Sequence, residues 1–197
     1  MNKKFFAILT AAVLAAGSAV ANTDSWYVSG NAGASFTNNM QNKDNKDSFR
    51  TKTGYGLGLA VGHSFDRIRA ELEVGYNRNT IKDYKNGAAV TKLSSSYASL
   101  MTVMGNIYYD MPVTEQFDLY VGAGLGYGIW TIKINDDKAP ASTFAYQGMT
   151  GITWKATQNV AISAGYRILT TADFKELGGK IRAPLIHRAE LAARYSF

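Results

Sequence analysis

The 197-residue chain carries 21 Lys and Arg against 15 Asp and Glu, a formal net charge of +6, with 46% hydrophobic and 18% charged residues. It has no cysteine, which excludes disulfide bracing, thiol redox chemistry and thiolate metal sites. Its length suits one domain, and 19 glycines against 3 prolines favour strands and turns over a linker-divided or low-complexity chain.

The first 21 residues, MNKKFFAILTAAVLAAGSAVA, read as a secretory signal. Lys3 and Lys4 precede an apolar run that starts at Phe5, and Ala19, Val20 and Ala21 supply the small residues a signal peptidase cuts after. Cleavage is expected after Ala21, leaving residues 22–197 as the mature domain. The apolar run is short for a spanning helix, which needs about 20 residues. No later run reaches that length, so the mature chain is either exported and soluble or crosses a membrane as strands.

A period of two then recurs to the C-terminus, the mark of half-buried strands. The first strand is expected near residues 26–36, followed by a long loop at 37–54 with Lys43, Lys46, Arg50 and Lys52 against Asp44 and Asp47. In YGLGLAVGHSF, residues 55–65, Tyr55, Leu57, Leu59, Val61, His63 and Phe65 share one face; Gly56, Gly58, Ala60, Gly62 and Ser64 share the other. Asp66 and Arg67 connect this strand tightly to IRAELEVGY, residues 68–76, where Ile68, Ala70, Leu72, Val74 and Tyr76 alternate with Arg69, Glu71, Glu73 and Gly75. A second long loop, 77–96, carries Arg78, Lys82, Lys85 and Lys92 against Asp83.

The fourth strand, 97–109, turns through 110–116 into a fifth at 117–131 that contains YVGAGLGYGIW. Its glycines at 122, 124, 126 and 128 oppose Val121, Ala123, Leu125, Tyr127 and Ile129. A phosphate-binding glycine motif puts its glycines in a strand-to-helix turn, and this run has neither turn nor helix, so it reads as the bare face of a strand. A third long loop, 132–143, balances Lys133 and Lys138 with Asp136 and Asp137. Strands at 144–154 and 160–169 meet across the short segment 155–159. The fourth loop, 170–184, holds Lys175, Lys180 and Arg182 against Asp173 and Glu176; the last strand, 185–197, closes on HRAELAARYSF.

Eight antiparallel strands joined alternately by short turns and long loops form an up-and-down meander, with both termini at the short-turn end. The non-apolar faces of the second and fifth strands are mostly glycine and alanine and, Asp118 apart, hold no charge to solubilise an exterior. Those faces are therefore expected inside, where eight strands leave a lumen that side chains fill, and the apolar faces toward lipid. The fold class is all-β, an eight-stranded antiparallel up-and-down transmembrane β-barrel. Trp26, Phe36, Tyr55, Phe65, Tyr76, Tyr109, Tyr127, Trp154, Tyr166, Tyr195 and Phe197 fall on the apolar face, mostly near strand ends, where interfacial girdles sit.

The same parity puts Arg69, Arg167, Arg188 and Arg194 in the lumen with Glu71, Glu73, Asp118 and Glu190. An unpaired buried charge is costly, so an internal ion-pair network is expected, a charge-lined ion path being the functional alternative. His63 and His187 fall on the lipid-facing parity with no evident Ser and Asp partner, so no enzyme is expected. Asp44, Asp47, Asp136 and Asp137 read as solvated loop acids among lysines; neither a metal site nor a cofactor is expected.

Six segments carry a family resemblance: WYVSGNAG after the signal, RAELEVGY at 69–76, NIYYDMP at 106–112, YVGAGLGYG at 120–128, GYR at 165–167 and the closing ELAARYSF. In their order and spacing the mature chain resembles the small eight-stranded outer-membrane β-barrels of Gram-negative bacteria, of the opacity-protein and surface-antigen type. The resemblance implies termini in the periplasm, long loops outside the cell, and contact with outer-membrane lipid and lipopolysaccharide. It also implies a terminal signal for the barrel-insertion machinery, carried by Phe197 with Tyr195 and Leu191. Unlike two-domain relatives, the chain stops at its last strand, so no wall-anchoring role is expected.

Lys43, Lys46, Arg50, Lys52, Arg78, Lys82, Lys85 and Lys92 then make a candidate basic rim for anionic partners such as lipopolysaccharide phosphates or sulfated host glycans. The expected function is adhesion or host-surface interaction through four mostly basic loops. The alternatives are a structural outer-membrane component and a narrow porin-like pore. Export and the lack of a recognition motif argue against nucleic acid as a partner.

Overall fold

The computed structural model describes residues 24–37, 40–41, 48–51, 53–86, 89–92, 97–134, 137–176, 179–181 and 183–197. The expected signal segment, with Lys43, Lys46 and Lys52, lies outside them. Eight long strands make the body: β1 (Asp24–Thr37), β2 (Gly54–Phe65), β3 (Ile68–Asn86), β4 (Tyr97–Pro112), β5 (Phe117–Ile134), β6 (Asp137–Lys155), β7 (Val160–Thr171) and β8 (Ile186–Ser196). Each pairs antiparallel with its sequence neighbours, and β1 pairs with β8 from Tyr27↔Ser196 to Thr37↔Ile186, closing the barrel. Closure removes the open edges that would otherwise invite aggregation.

The short turns have local causes. Asp66 sits in the left-handed region at φ 54°, which its small polar side chain tolerates and a two-residue hairpin requires. In the next turn the Thr114 hydroxyl accepts the Phe117 N–H at 3.0 Å, and in the third the Thr157 hydroxyl accepts the Val160 N–H at 3.0 Å.

The long connections differ from expectation. β3 runs on to Asn86 and pairs with Ala89–Lys92 on one side and Ser48–Thr51 on the other, and Ser48–Thr51 pairs in turn with Met40–Gln41. β5 and β6 stay paired up to Ile134↔Asp137. Much of the second and third loops is thus a continuation of the barrel wall. The alternation that reveals a strand within the bilayer fades there, because outside lipid neither face has to be apolar, while the backbone ladder still satisfies its polar groups.

The pleat sorts side chains as a membrane barrel requires. Leu57, Leu72, Ile107, Leu125 and Leu191 point outward and are 49%, 55%, 57%, 61% and 65% exposed, whereas Arg188 and Glu73, inside, are 1% exposed. That is the inverse of a water-soluble barrel. Outward aromatics fall in two rows: Trp26, Phe65, Tyr109, Phe117, Trp154 and Tyr195 near the short turns, and Phe36, Tyr55, Tyr127, Phe144 and Tyr146 toward the loops.

Candidate functional site

The lumen holds a network built across the barrel. Arg167, on β7, donates from Nη1 to Glu73 Oε1 at 2.6 Å and to Gln147 Oε1 at 2.9 Å, and from Nη2 to Glu190 Oε1 at 3.2 Å. Arg188 donates to the other oxygen of Glu190 from Nε at 2.7 Å, and to Asn77 and Asn31 at 3.2 and 2.8 Å. Glu190 thus bridges two arginines, and each guanidinium meets both charged and amide acceptors. Such geometry is what offsets the cost of burying charge.

A second cluster lies toward the short turns. Arg69 grips Asp110 with two bonds, Nε to Oδ2 at 2.6 Å and Nη2 to Oδ1 at 2.9 Å, with its guanidinium carbon 4.4 Å from the Tyr108 ring centroid. The Tyr120 and Tyr27 rings flank it at 5.8 and 6.0 Å. Arg194 lies 3.9 Å from Asp110 and 5.4 Å from the Tyr27 ring centroid. Between the clusters, Glu71 accepts from neutral donors: the Tyr27 and Tyr108 hydroxyls, each at 3.2 Å, Ser29 at 3.3 Å and Asn106 at 3.3 Å.

Of the eight charged residues expected in the lumen, Arg167, Arg188, Glu73 and Glu190 form one cluster, and Arg69 and Arg194 meet at Asp110. Asp118 joins neither arginine cluster; it lies 2.8 Å from Lys155 Nζ at the short-turn mouth. Asp110, expected in the turn at 110–116, instead faces inward, because β4 extends to Pro112. Its signal was present, since Asn106, Tyr108 and Asp110 alternate on one parity. With Asp110 and Lys155 added, five carboxylates face four arginines and one lysine.

The glycines of β5 make room for neighbours rather than for charge opposite. A Cβ at Gly122 would lie 2.5 Å from the Tyr108 ring, and one at Gly124 would collide with Asn106. Both intruders come from the adjacent β4, so the bare face lets that strand's large side chains lie across it. Above the charges, toward the loop ends of the strands, Leu100, Trp130, Leu169 and Ile186 are buried, and the Trp130 indole donates to Thr171 at 3.1 Å. A polar void of about 40 Å³ lies among Ser29, Arg69, Glu71, Tyr120 and Arg194, space for roughly three waters at 10–15 Å³ each.

The outer wall brings one correction. His63 was expected to lack an acidic partner, but its Nε2 lies 3.3 Å from Asp24 Oδ1, a contact set by the Trp26↔His63 register that brings the start of β1 beside the end of β2. His187 instead shares a 2.6 Å hydrogen bond with the Tyr166 hydroxyl. At the C-terminus, Leu191 and Tyr195 point outward, and the Phe197 N–H donates to the Trp26 carbonyl at 2.9 Å.

Among the rim candidates, Arg78 is stacked on Tyr97, its guanidinium carbon 3.9 Å from the ring centroid. Arg50, Asp83 and Lys92 occupy one cross-strand row of the wall extension, and Ser48, Lys85 and Val90 the next row on the same face. Lys82 sits at a bulge, since Arg50 opposes Asp83 and Thr51 opposes Ile81.

Comparison with known proteins agrees with this architecture. An uncharacterised protein of Brucella abortus is 29% identical over 154 residues, 64% of this chain and 54% of that protein, so the chain spans about half the length of the curated relatives it matches first. A Rickettsia akari protein named as a candidate adhesin is 27% identical over 200 residues, 94% of this chain and 82% of its own. The crystal structure of Neisserial surface protein A, 19% identical, superposes with a TM-score of 0.61 over 87% of this chain and 97% of that one, which establishes a shared fold. Residues 6–187 match the sequence profile described as the outer membrane protein beta-barrel domain. An apolar outside, a charged inside and a match over most of its length agree: the chain belongs to the outer membrane protein β-barrel domain family.

Proposed function

We propose that this outer-membrane barrel is a surface adhesin whose wall extension and loops face outward from the cell and bind anionic partners, with both termini in the periplasm. The observation that carries this reading is the register of the extension, in which Arg50, Lys85 and Lys92 share one face with a single acid, Asp83. Cations placed on one face of a paired sheet bind a polyanion at less entropic cost than cations on separate loops. The resemblance to a candidate adhesin supports the same reading. Anionic partners of this kind include lipopolysaccharide phosphates and sulfated host glycans.

The lumen network serves in this reading as structural pairing, and Leu191, Tyr195 and Phe197 as the segment read by the insertion machinery. Residues 1–21 act as the export signal, so the mature mass should correspond to a chain beginning at Asn22. The packed layer of Leu100, Trp130, Leu169 and Ile186 weighs against a pore.

The test is binding of expressing cells to immobilised heparin. Reversal of Arg50, Lys85 and Lys92 to Glu should abolish retention, while reversal of Lys175 and Lys180 in the fourth loop should leave most of it. Undiminished retention after the first set, or equal loss after both, removes the sheet as the binding surface.

A further inference from the structure

The lipid-facing wall carries a feature that adhesion does not use. Near the short turns, His63 is wedged between two girdle rings, its ring centroid 4.9 Å from Trp26 and 4.4 Å from Phe65, and it holds Asp24 at 3.3 Å. The Asp24 carboxylate itself is 70% exposed. A groove of about 790 Å³ leads from Trp26 and His63 along the wall, lined further by Ala70, Gly105, Ile107, Ala123 and Leu125. It crosses β2, β3, β4 and β5 along the rows His63–Ala70–Ile107–Ala123 and Val61–Leu72–Gly105–Leu125, so it is about 14 Å long at ~4.8 Å per strand step. The floor is low because Ala70, Gly105 and Ala123 stand where neighbouring outward positions carry Leu or Ile.

We propose that this groove is a binding site for a phospholipid with a primary-amine headgroup, the acyl chain lying over Ala70, Gly105 and Ala123 and the ammonium seated on Asp24. The chemistry of the mouth selects the headgroup. An exposed carboxylate at the membrane interface repels an anionic lipid and attracts an ammonium, and the half-exposed Trp26 ring beside it adds a cation–π face. His63 is a positioning residue: it lines the groove, and its 3.3 Å contact with Asp24 keeps the carboxylate beside the groove's His63 end. The apolar floor contributes through buried methylenes, each about 0.8 kcal/mol by transfer. With the termini in the periplasm, as proposed above, the occupied leaflet is the inner one.

Native mass spectrometry of the detergent-purified protein, equilibrated with equimolar phosphatidylethanolamine and phosphatidylglycerol, tests the site. The wild type should keep a phosphatidylethanolamine adduct in preference, by about fivefold, the effect of one interfacial ion pair and ring contact. Asp24→Asn should bring the two lipids to parity. Gly105→Leu should reduce both adducts and is expected to fold, since a Cβ there meets only the Leu125 carbonyl oxygen, at 3.8 Å, and the position faces outward. Each variant is first checked for the heat-modifiable migration of a closed barrel, so loss of lipid is separable from loss of fold. Equal retention of the two lipids by the wild type, an adduct untouched by Gly105→Leu, or the groove filled instead by lipopolysaccharide or a second copy of the chain would overturn the proposal. Heparin retention by cells reports on the adhesin reading independently.

Discussion

Arg167 on β7 and Glu73 on β3, 94 residues apart in sequence, meet at 2.6 Å across the lumen although their strands share no ladder. The contact ties opposite walls through a buried charge pair. Arg167→Met should destabilise the barrel by about 3–5 kcal/mol, because Glu73 and Glu190 lose their common partner in a water-poor interior. The triple change with Glu73→Gln and Glu190→Gln should cost less than Arg167→Met alone. Urea unfolding in lipid vesicles measures both, and a triple variant weaker than the single would contradict this account.

The second arginine cluster predicts a contrast between two ion pairs. Asp110→Asn removes the bidentate partner of Arg69, itself 7% exposed, and should cost about 3 kcal/mol. Lys155→Ala leaves Asp118, whose side chain is 6% exposed, without its lysine, but the lysine side chain is 41% exposed and water can reach the mouth in its place, so the cost should be smaller, about 1–2 kcal/mol. Comparable losses in the two variants, read in the same unfolding assay, would show that the mouth pair is as dry as the inner one.

Parity makes outward and inward positions fail for different reasons. Leu72 lies midway along the outward face of its membrane segment, and Leu72→Arg should cost about 2–4 kcal/mol in a bilayer, whereas in a water-soluble barrel the change would be nearly neutral. Gly124→Leu should block folding for a different reason, since its Cβ collides with Asn106 and lies 3.0 Å from Gln147 Cγ inside the lumen. Gel mobility of heated and unheated samples separates folded from unfolded forms of each.

Permeation tests the packed lumen. Liposomes carrying the wild type should pass little solute in a swelling assay with small sugars. Leu100→Ala combined with Trp130→Ala should raise the rate if that layer is the seal. Robust swelling with the wild type would favour a pore over an adhesin.

Deleting Phe197 should lower the yield of heat-modifiable barrel in the outer membrane while in-vitro refolding into detergent is largely retained, which assigns the residue to assembly. The backbone bond from its N–H to Trp26 is one hydrogen bond, about 1 kcal/mol, too little to decide folding by itself. Equal failure in the cell and in detergent would make the residue structural.

Period-two patterning determined the eight strands, their order, their inward and outward faces and the lipid-facing aromatics, because within a bilayer outward positions are predominantly apolar and the pleat writes that demand into alternate residues. Where the demand ends, so did legibility: β3 beyond Tyr76 carries no apolar face, the hairpin of β5 and β6 beyond Thr131 keeps only a short one with Ile132 and Ile134, and the strand pairing revealed both as wall. The lumen follows the same logic. Parity alone put Arg69 and Arg167 inside, but which carboxylate each would meet depended on the stagger of strands around the barrel, a property of closure that no local stretch of chain encodes. That stagger gave Arg69 to Asp110, Asp118 to Lys155, and His63 to Asp24. Pairing in the wall extension in turn placed Arg50, Lys85 and Lys92 on one face, three cations that in sequence are separated across two loops.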